Sequence, residues 1–243
     1  MMKIRNLETL YLTTKWSVAS MALALVLSNS LWANESRITP ITNLESVTPG
    51  LVYNPVQPGV ENETLFAGKN VAFLVSHGVQ ESELTFPLDY LIARGANVEI
   101  LAPDWIEDKV TLVKFLRPTN FLNVDKSFSE ALQGKQYDLI VLAGGAWNVQ
   151  VVRKDEKALK LIKEHYGAGL PIAAVCAGSQ ILITAGLANE RNLTGTSSVR
   201  LDLENAGAIY VDQPVVRDGQ LLTGRGPDDL EEFVEGLGSL LTE

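Results

Sequence analysis

Cys176 is the only cysteine among 243 residues, and small side chains crowd it on both sides in AAVCAGSQILI (173–183). One thiol cannot close an internal disulfide or build a multi-cysteine zinc site, which leaves burial, pairing between chains, or chemistry. The preceding IAAV reads as a buried strand, and the following AGSQILI reads as the start of a helix. A thiol on so sharp a turn occupies a nucleophile elbow, whose strained backbone closes only among small neighbours; Ala174, Ala177 and Gly178 supply them. Free backbone N–H groups at the helix start favour the thiolate and lower its pKa. The plainer use of a free cysteine is inert burial, and the turn chemistry weighs against it.

Two other stretches carry groups that chemistry at Cys176 requires. In SHGVQESELTFPLDYL (76–91), Pro87 belongs among the first helix positions, so the helix is expected to start near Leu84 or Thr85, with Glu83 at the junction. A partly desolvated carboxyl there keeps its proton and donates to the sulfur, or carries protons to and from a substrate. Without Cys176 it would read as an acidic first-turn residue complementing the helix dipole. In LAGGAWN (142–148), Gly144 and Gly145 let a backbone N–H approach a ligand, and with the N–H of Ala177 form an oxyanion hole; strand-end glycines also simply make turns. Of the two histidines, His165 lies near a helix end, where the C-terminal dipole explains it. His77 is the candidate to assist, alongside a structural reading.

These residues need a scaffold that brings three loops together. NVAFLVS (70–76), a helix through FPLDYLIARG and the strand NVEILAPD form one strand, helix, strand unit. The same grammar recurs in YDLIVLAGG (137–145), the charged helix KDEKALKLIKEHYGAG (154–169), LPIAAVC (170–176) and the helix GSQILITAGL (178–187). AIYVD, a hairpin turning at Asp218 and Gly219, and a closing helix PDDLEEFVEGLGSLL complete the chain. The expected fold class is α/β: a doubly wound, flavodoxin-like, mostly parallel sheet with helices on both faces, a three-layer sandwich. In such a sheet chemistry gathers outside the carboxyl ends of the strands, where 76–83, 143–146 and 176–179 all fall.

The ends of the chain read differently. Lys3, Arg5 and Lys15 precede the apolar run VASMALALVL (18–27) and the stretch SNSLWA, the order of a secretory signal, so residues 1–33 are expected to be a signal peptide cleaved after Ala33. A run of ten residues is too short to span a bilayer, so no membrane association is expected after cleavage, and the protein is expected to be exported, periplasmic or secreted. Residues 34–69, with Pro40, Pro49, Pro55 and Pro58 among polar residues, read as an extended leader that Leu51, Val52 and Tyr53 can pin to the domain; 70–243 is the domain itself. The formal net charge of −9 repels nucleic acid. No residue pattern implies a metal or an organic cofactor.

VCAGSQILITAGL, LIVLAGG, ESELTFPLDYL and LLTGRGPDDLEEFVEGL together resemble the PfpI superfamily, the DJ-one/PfpI family of the class I glutamine-amidotransferase-like fold, from about Asn70 to Leu241. The resemblance implies a homodimer with Cys176 as nucleophile, Glu83 as acid and base, and Gly145 and Ala177 as oxyanion donors. The proteolytic branch carries histidine directly after the cysteine, where this chain has Ala177. Other branches place a histidine in the segment matching TGTSSVRLDLENAG, where this chain has Thr196, Ser197 and Ser198, of which Ser198 is a possible accessory residue. Peptide hydrolysis through a Cys-His-acid triad is therefore not expected. The resemblance implies instead a Cys/Glu enzyme acting on a small electrophile, by hydration of an isocyanide or of a 2-oxoaldehyde. The alternatives are a redox sensor or stress-protective protein with an oxidisable Cys176, and a binding module without turnover.

Overall fold

The structure, a computed structural model, describes residues 38–40 and 57–243. The signal reading of 1–33 and the anchoring of Leu51, Val52 and Tyr53 lie outside the described residues.

The main sheet has seven strands in the order β12-β13-β9-β8-β2-β4-β7: β2 (Asn70–Leu74), β4 (Asn97–Ala102), β7 (Lys126–Ser127), β8 (Leu139–Leu142), β9 (Ile172–Val175), β12 (Val215–Asp218) and β13 (Leu221–Gly224). Every neighbouring pair is parallel except the β12–β13 hairpin, which turns at Gly219 with a φ of 59°. The strands read as unbroken apolar runs because both faces are covered. Alternate residues feed separate cores: Val71, Phe73, Val141 and Val175 face one side, Ala72, Leu74, Leu142 and Ala174 the other. The first side is closed by α1 (Glu81–Ile92) and α7 (Leu230–Thr242). The second is closed by α2 (Phe128–Ala131), α3 (Ala146–Val152), α4 (Glu156–Gly167), α5 (Ser179–Ala185) and α6 (Arg200–Asn205). This is the three-layer α/β sandwich that the alternating pattern predicts.

Other features were not legible in the periodicity. Residues 105–136, to which it assigned no element, contain the antiparallel hairpin β5 (Lys109–Lys114) and β6 (Arg117–Asn123), in a second sheet of order β1-β6-β5-β3 with β1 (Ile38–Pro40) and β3 (Val79–Gln80). Val110, Leu112 and Leu122 bury into the first core, so the hairpin is part of the domain. AIYVD supplies only the short strand β11 (Ile209–Tyr210), paired in parallel with β10 (Asn192–Leu193). Ahead of β2, Phe66 is fully buried and its N–H donates to Arg94 O at 2.8 Å. Arg94 in turn donates to the carbonyls of Pro58 (3.0 Å) and Gly59 (2.8 Å), tying residues 58–66 to the end of α1.

The start of α1 differs from expectation. The helix begins at Glu81, so Pro87 lies in its interior and Glu83 in its first turn. β3 is the reason: Val79 and Gln80 are held in parallel pairing with Leu112 and Val113 of β5, and the helix starts directly behind them. Pro87 then leaves one intrahelical bond unmade, which burial of Leu84, Phe86, Leu88 and Leu91 offsets.

Candidate active site

Strand order reverses at β2 and β8: the chain runs from β2 outward to β4 and β7, then returns to β8 and proceeds through β9 to β13 on the other side. At that switch point the carboxyl ends of β2, β8 and β9 leave a crevice. Each of the three sequence points contributes one wall.

From β9 comes Cys176, which opens a 3₁₀ turn (Cys176–Gly178) leading into α5. Its φ is 59°, in the left-handed region that side chains other than glycine rarely occupy. This is the strained elbow that its small neighbours imply, and it leaves the thiol half-buried on the wall of a cavity of about 440 Å³. From β8 come Gly144 and Gly145. A Cβ on Gly144 would lie 2.9 Å from the Cβ of Cys176 and collide with Glu83 Oε2, so no larger residue fits between acid and thiol. Gly145 has a φ of 92° and its Cα faces the backbone of Gly78 and Gln80, where a Cβ has no room. The buried Asn148 locks this loop: its Nδ2 donates to Ala143 O (2.9 Å) and Gly144 O (3.0 Å), and its Oδ1 accepts from Ser76 N–H at 2.6 Å.

From α1 comes Glu83, buried to 1% exposure. Its Oε2 accepts from Gly144 N–H at 2.9 Å, and its carboxyl meets the thiol of Cys176. Oε1 is buried without a well-formed hydrogen bond, which makes it the oxygen suited to carry a proton. Burial pushes the Glu83 pKa up to about 8, against the lowering effect of its hydrogen bonds with Cys176 and Gly144. Burial, followed by the charge and hydrogen bond of Glu83, also pushes the thiol up, while the Ala177 N–H and the Thr196 hydroxyl pull it down. The expectation that the helix start by itself lowers the thiol pKa is thus corrected: a short 3₁₀ turn does not outweigh burial beside a carboxyl. The pair resists a second negative charge, and a thiolate forms only while Glu83 keeps its proton.

Gly145, Ala177 and Ser198 line the same cavity, as the sequence places them. His77 does not. Its Nδ1 accepts from Thr111 N–H (3.1 Å), its ring leans on Trp105 with centroids 5.7 Å apart, and burial lowers its pKa, so it stands as a neutral strut between β2 and β5. His165 is likewise no dipole-bound cation: it is buried with a lowered pKa, and its Nε2 meets Pro171 O at 2.8 Å. Thr196, which the sequence marks only as standing where some relatives carry histidine, is a further polar partner of the sulfur beside Glu83 and the Ala177 N–H. Thr196→Val is expected to slow carbamidomethylation of Cys176 at pH 7 about three- to tenfold, because the thiolate loses a donor; intact-mass kinetics with iodoacetamide measure this. The apolar pair Phe115 and Leu116, from the tip of the β5–β6 hairpin, also lines the cavity and had no signal in sequence. Among the described residues no cluster of histidine, cysteine and carboxylate side chains fits a metal ion.

The same arrangement of sheet and elbow has known relatives. A deglycase of Thermococcus kodakarensis is 34% identical over 171 residues, covering 70% of this chain and 98% of that protein. Protein/nucleic acid deglycase 2 of Escherichia coli is 33% identical, with 68% and 93% covered. General stress protein 18 of Bacillus subtilis is 31% identical, with 68% and 94% covered. Among solved structures, a DJ-1 superfamily protein of Salmonella typhimurium superposes with a TM-score of 0.63 at 28% identity, over 71% of this chain and 90% of that one. The sequence profile of the DJ-1/PfpI family matches residues 69–238, and with the elbow cysteine and the doubly wound sheet this establishes that the chain belongs to the DJ-1/PfpI family.

Proposed function

We propose that this protein is a cysteine-dependent enzyme that converts reactive carbonyl compounds, in the first place 2-oxoaldehydes, into 2-hydroxy acids. The observation that carries the reading is the buried carboxyl of Glu83 in contact with the strained Cys176 on the wall of an open cavity. Relatives named deglycases support the reactive-carbonyl class over isocyanides.

The Cys176 thiolate adds to the aldehyde carbon, forming a C–S bond, while the N–H groups of Gly145 and Ala177 hold the developing alkoxide and Glu83 donates it a proton. The Glu83 carboxylate then removes the hydrogen of that carbon as a proton, giving an enediol, and returns it to the neighbouring carbon as the hydroxyl proton shifts between the two oxygens. The product is a thioester, which water cleaves to release the 2-hydroxy acid and the thiol. The net reaction is aldehyde plus water, with no external oxidant or reductant. Export after a signal peptide and assembly as a homodimer belong to the same proposal, resting on the basic and apolar N-terminus and on the family resemblance.

The test is methylglyoxal turnover in deuterium oxide followed by proton NMR. Lactate carrying deuterium at C2 is expected, because the Glu83 carboxyl exchanges with solvent between the two transfers. Protium retained at C2 would replace the carboxyl shuttle with a hydride shift, and absence of lactate above a protein-free control would sink the enzymatic reading.

A further inference from the structure

The cavity at Cys176 is larger and more apolar than a three-carbon aldehyde needs. At about 440 Å³ it falls within the roughly 300–1,000 Å³ of cavities that enclose drug-sized ligands. Its lining includes Cys176 and the small residues Gly145, Ala146 and Ala177. The same cavity is also lined by Phe115, Leu116 and Pro227.

Phe115 and Leu116 are unusual for a hairpin tip. They are 68% and 80% exposed, whereas surface turns favour Gly, Asn and Asp. Phe115 also has a φ of 56°, a strained conformation for a bulky residue that persists where its surroundings enforce it. Those surroundings are identifiable. The N–H of Phe115 donates to Gln80 Oε1 at 3.0 Å, while Asn120 and Lys114 both engage the carboxylate of Glu81. Gln80 and Glu81 stand three and two residues before Glu83, so the apolar tip is fastened to the start of the helix that carries the acid.

We infer that Phe115 and Leu116 form a subsite for an apolar, preferably aromatic, substituent on the electrophile, so that the site prefers aryl-substituted 2-oxoaldehydes over methylglyoxal. This rests on Cys176 being the reacting group. Burying a ring against two otherwise solvated apolar side chains gains most when the reacting carbon is already held at the sulfur.

Because Cys176 is the only cysteine, alkylation reports on this site alone. The experiment compares rate constants for 2-iodo-N-benzylacetamide and iodoacetamide, each normalised to its rate with glutathione, in the natural protein and in Phe115→Ala and Leu116→Ala. The benzyl reagent is expected to be favoured about tenfold, with most of that preference lost in each variant. The ratio of kcat/KM for phenylglyoxal to that for methylglyoxal is expected to fall in parallel. If neither aldehyde turns over but the alkylation preference and its loss are seen, the subsite stands and the enzymatic reading falls. If both aldehydes turn over but the benzyl preference is absent, or survives both substitutions, the subsite is wrong. A change of oligomeric state in either variant, read by light scattering, also overturns it, by assigning the hairpin tip to contact with a second copy.

Discussion

Cys176→Ala is expected to lower 2-oxoaldehyde turnover by at least about 10⁴-fold while leaving the fold intact. The substrate stays bonded to the sulfur from the first addition to hydrolysis of the thioester, and the hydroxyl groups of Ser82, Thr196 and Ser198 on the cavity wall are far weaker nucleophiles than a thiolate. The positive φ is a property of the backbone turn and not of the thiol, so alanine inherits the strain and the melting temperature should move by only a few degrees. Residual turnover within about tenfold of the natural protein, in a variant that melts normally, would remove the nucleophile from the mechanism.

Glu83→Gln is expected to cost about 10² to 10⁴ in kcat/KM, the usual worth of a positioned proton-transfer group. Glutamine preserves the volume and can still accept from Gly144 N–H, but it neither gives nor takes a proton. The same variant has a signature in stability. In the folded protein the Glu83 carboxyl keeps its proton up to about pH 8, whereas the unfolded chain releases it near the ordinary value of 4.5. Between these values the folded state binds one proton more than the unfolded state. Stability is therefore fully present below about pH 4.5, falls as pH rises and levels off above 8, with a slope of up to about 1.4 kcal/mol per pH unit from this group. Glu83→Gln should flatten that stretch and be the more stable protein at pH 8. Urea unfolding at a series of pH values measures it; an unchanged slope would show that the acid is ionised in the fold at neutral pH.

How much of this was visible before folding depends on the range of the interactions involved. Both faces of β2, β8 and β9 are covered, so each had to be a short unbroken apolar run, and the doubly wound sheet could be read from those runs and the helices between them. The elbow was equally legible, because a turn that tight admits only small residues beside Cys176, and so was the meeting of three loops at the carboxyl edge. The start of α1 was misplaced because it is set by the pairing of Val79 and Gln80 with β5, some thirty residues further along the chain. Short-range rules place Pro87 near a helix start and know nothing of that strand.

Sequence by itself determined the layered fold, the elbow position of the lone thiol and the strain at residue 176, since each follows from residue size, apolar periodicity or turn geometry within a few positions. Tertiary structure decided who holds the proton, because the pKa of Glu83 reflects burial between α1 and the β8 loop. It also withdrew His77 and His165 into structural contacts, brought Thr196 to the sulfur, and set Phe115 and Leu116 on the wall of the same cavity. These outcomes depend on solvent exclusion and on contacts between segments far apart in the chain, neither of which a linear pattern encodes.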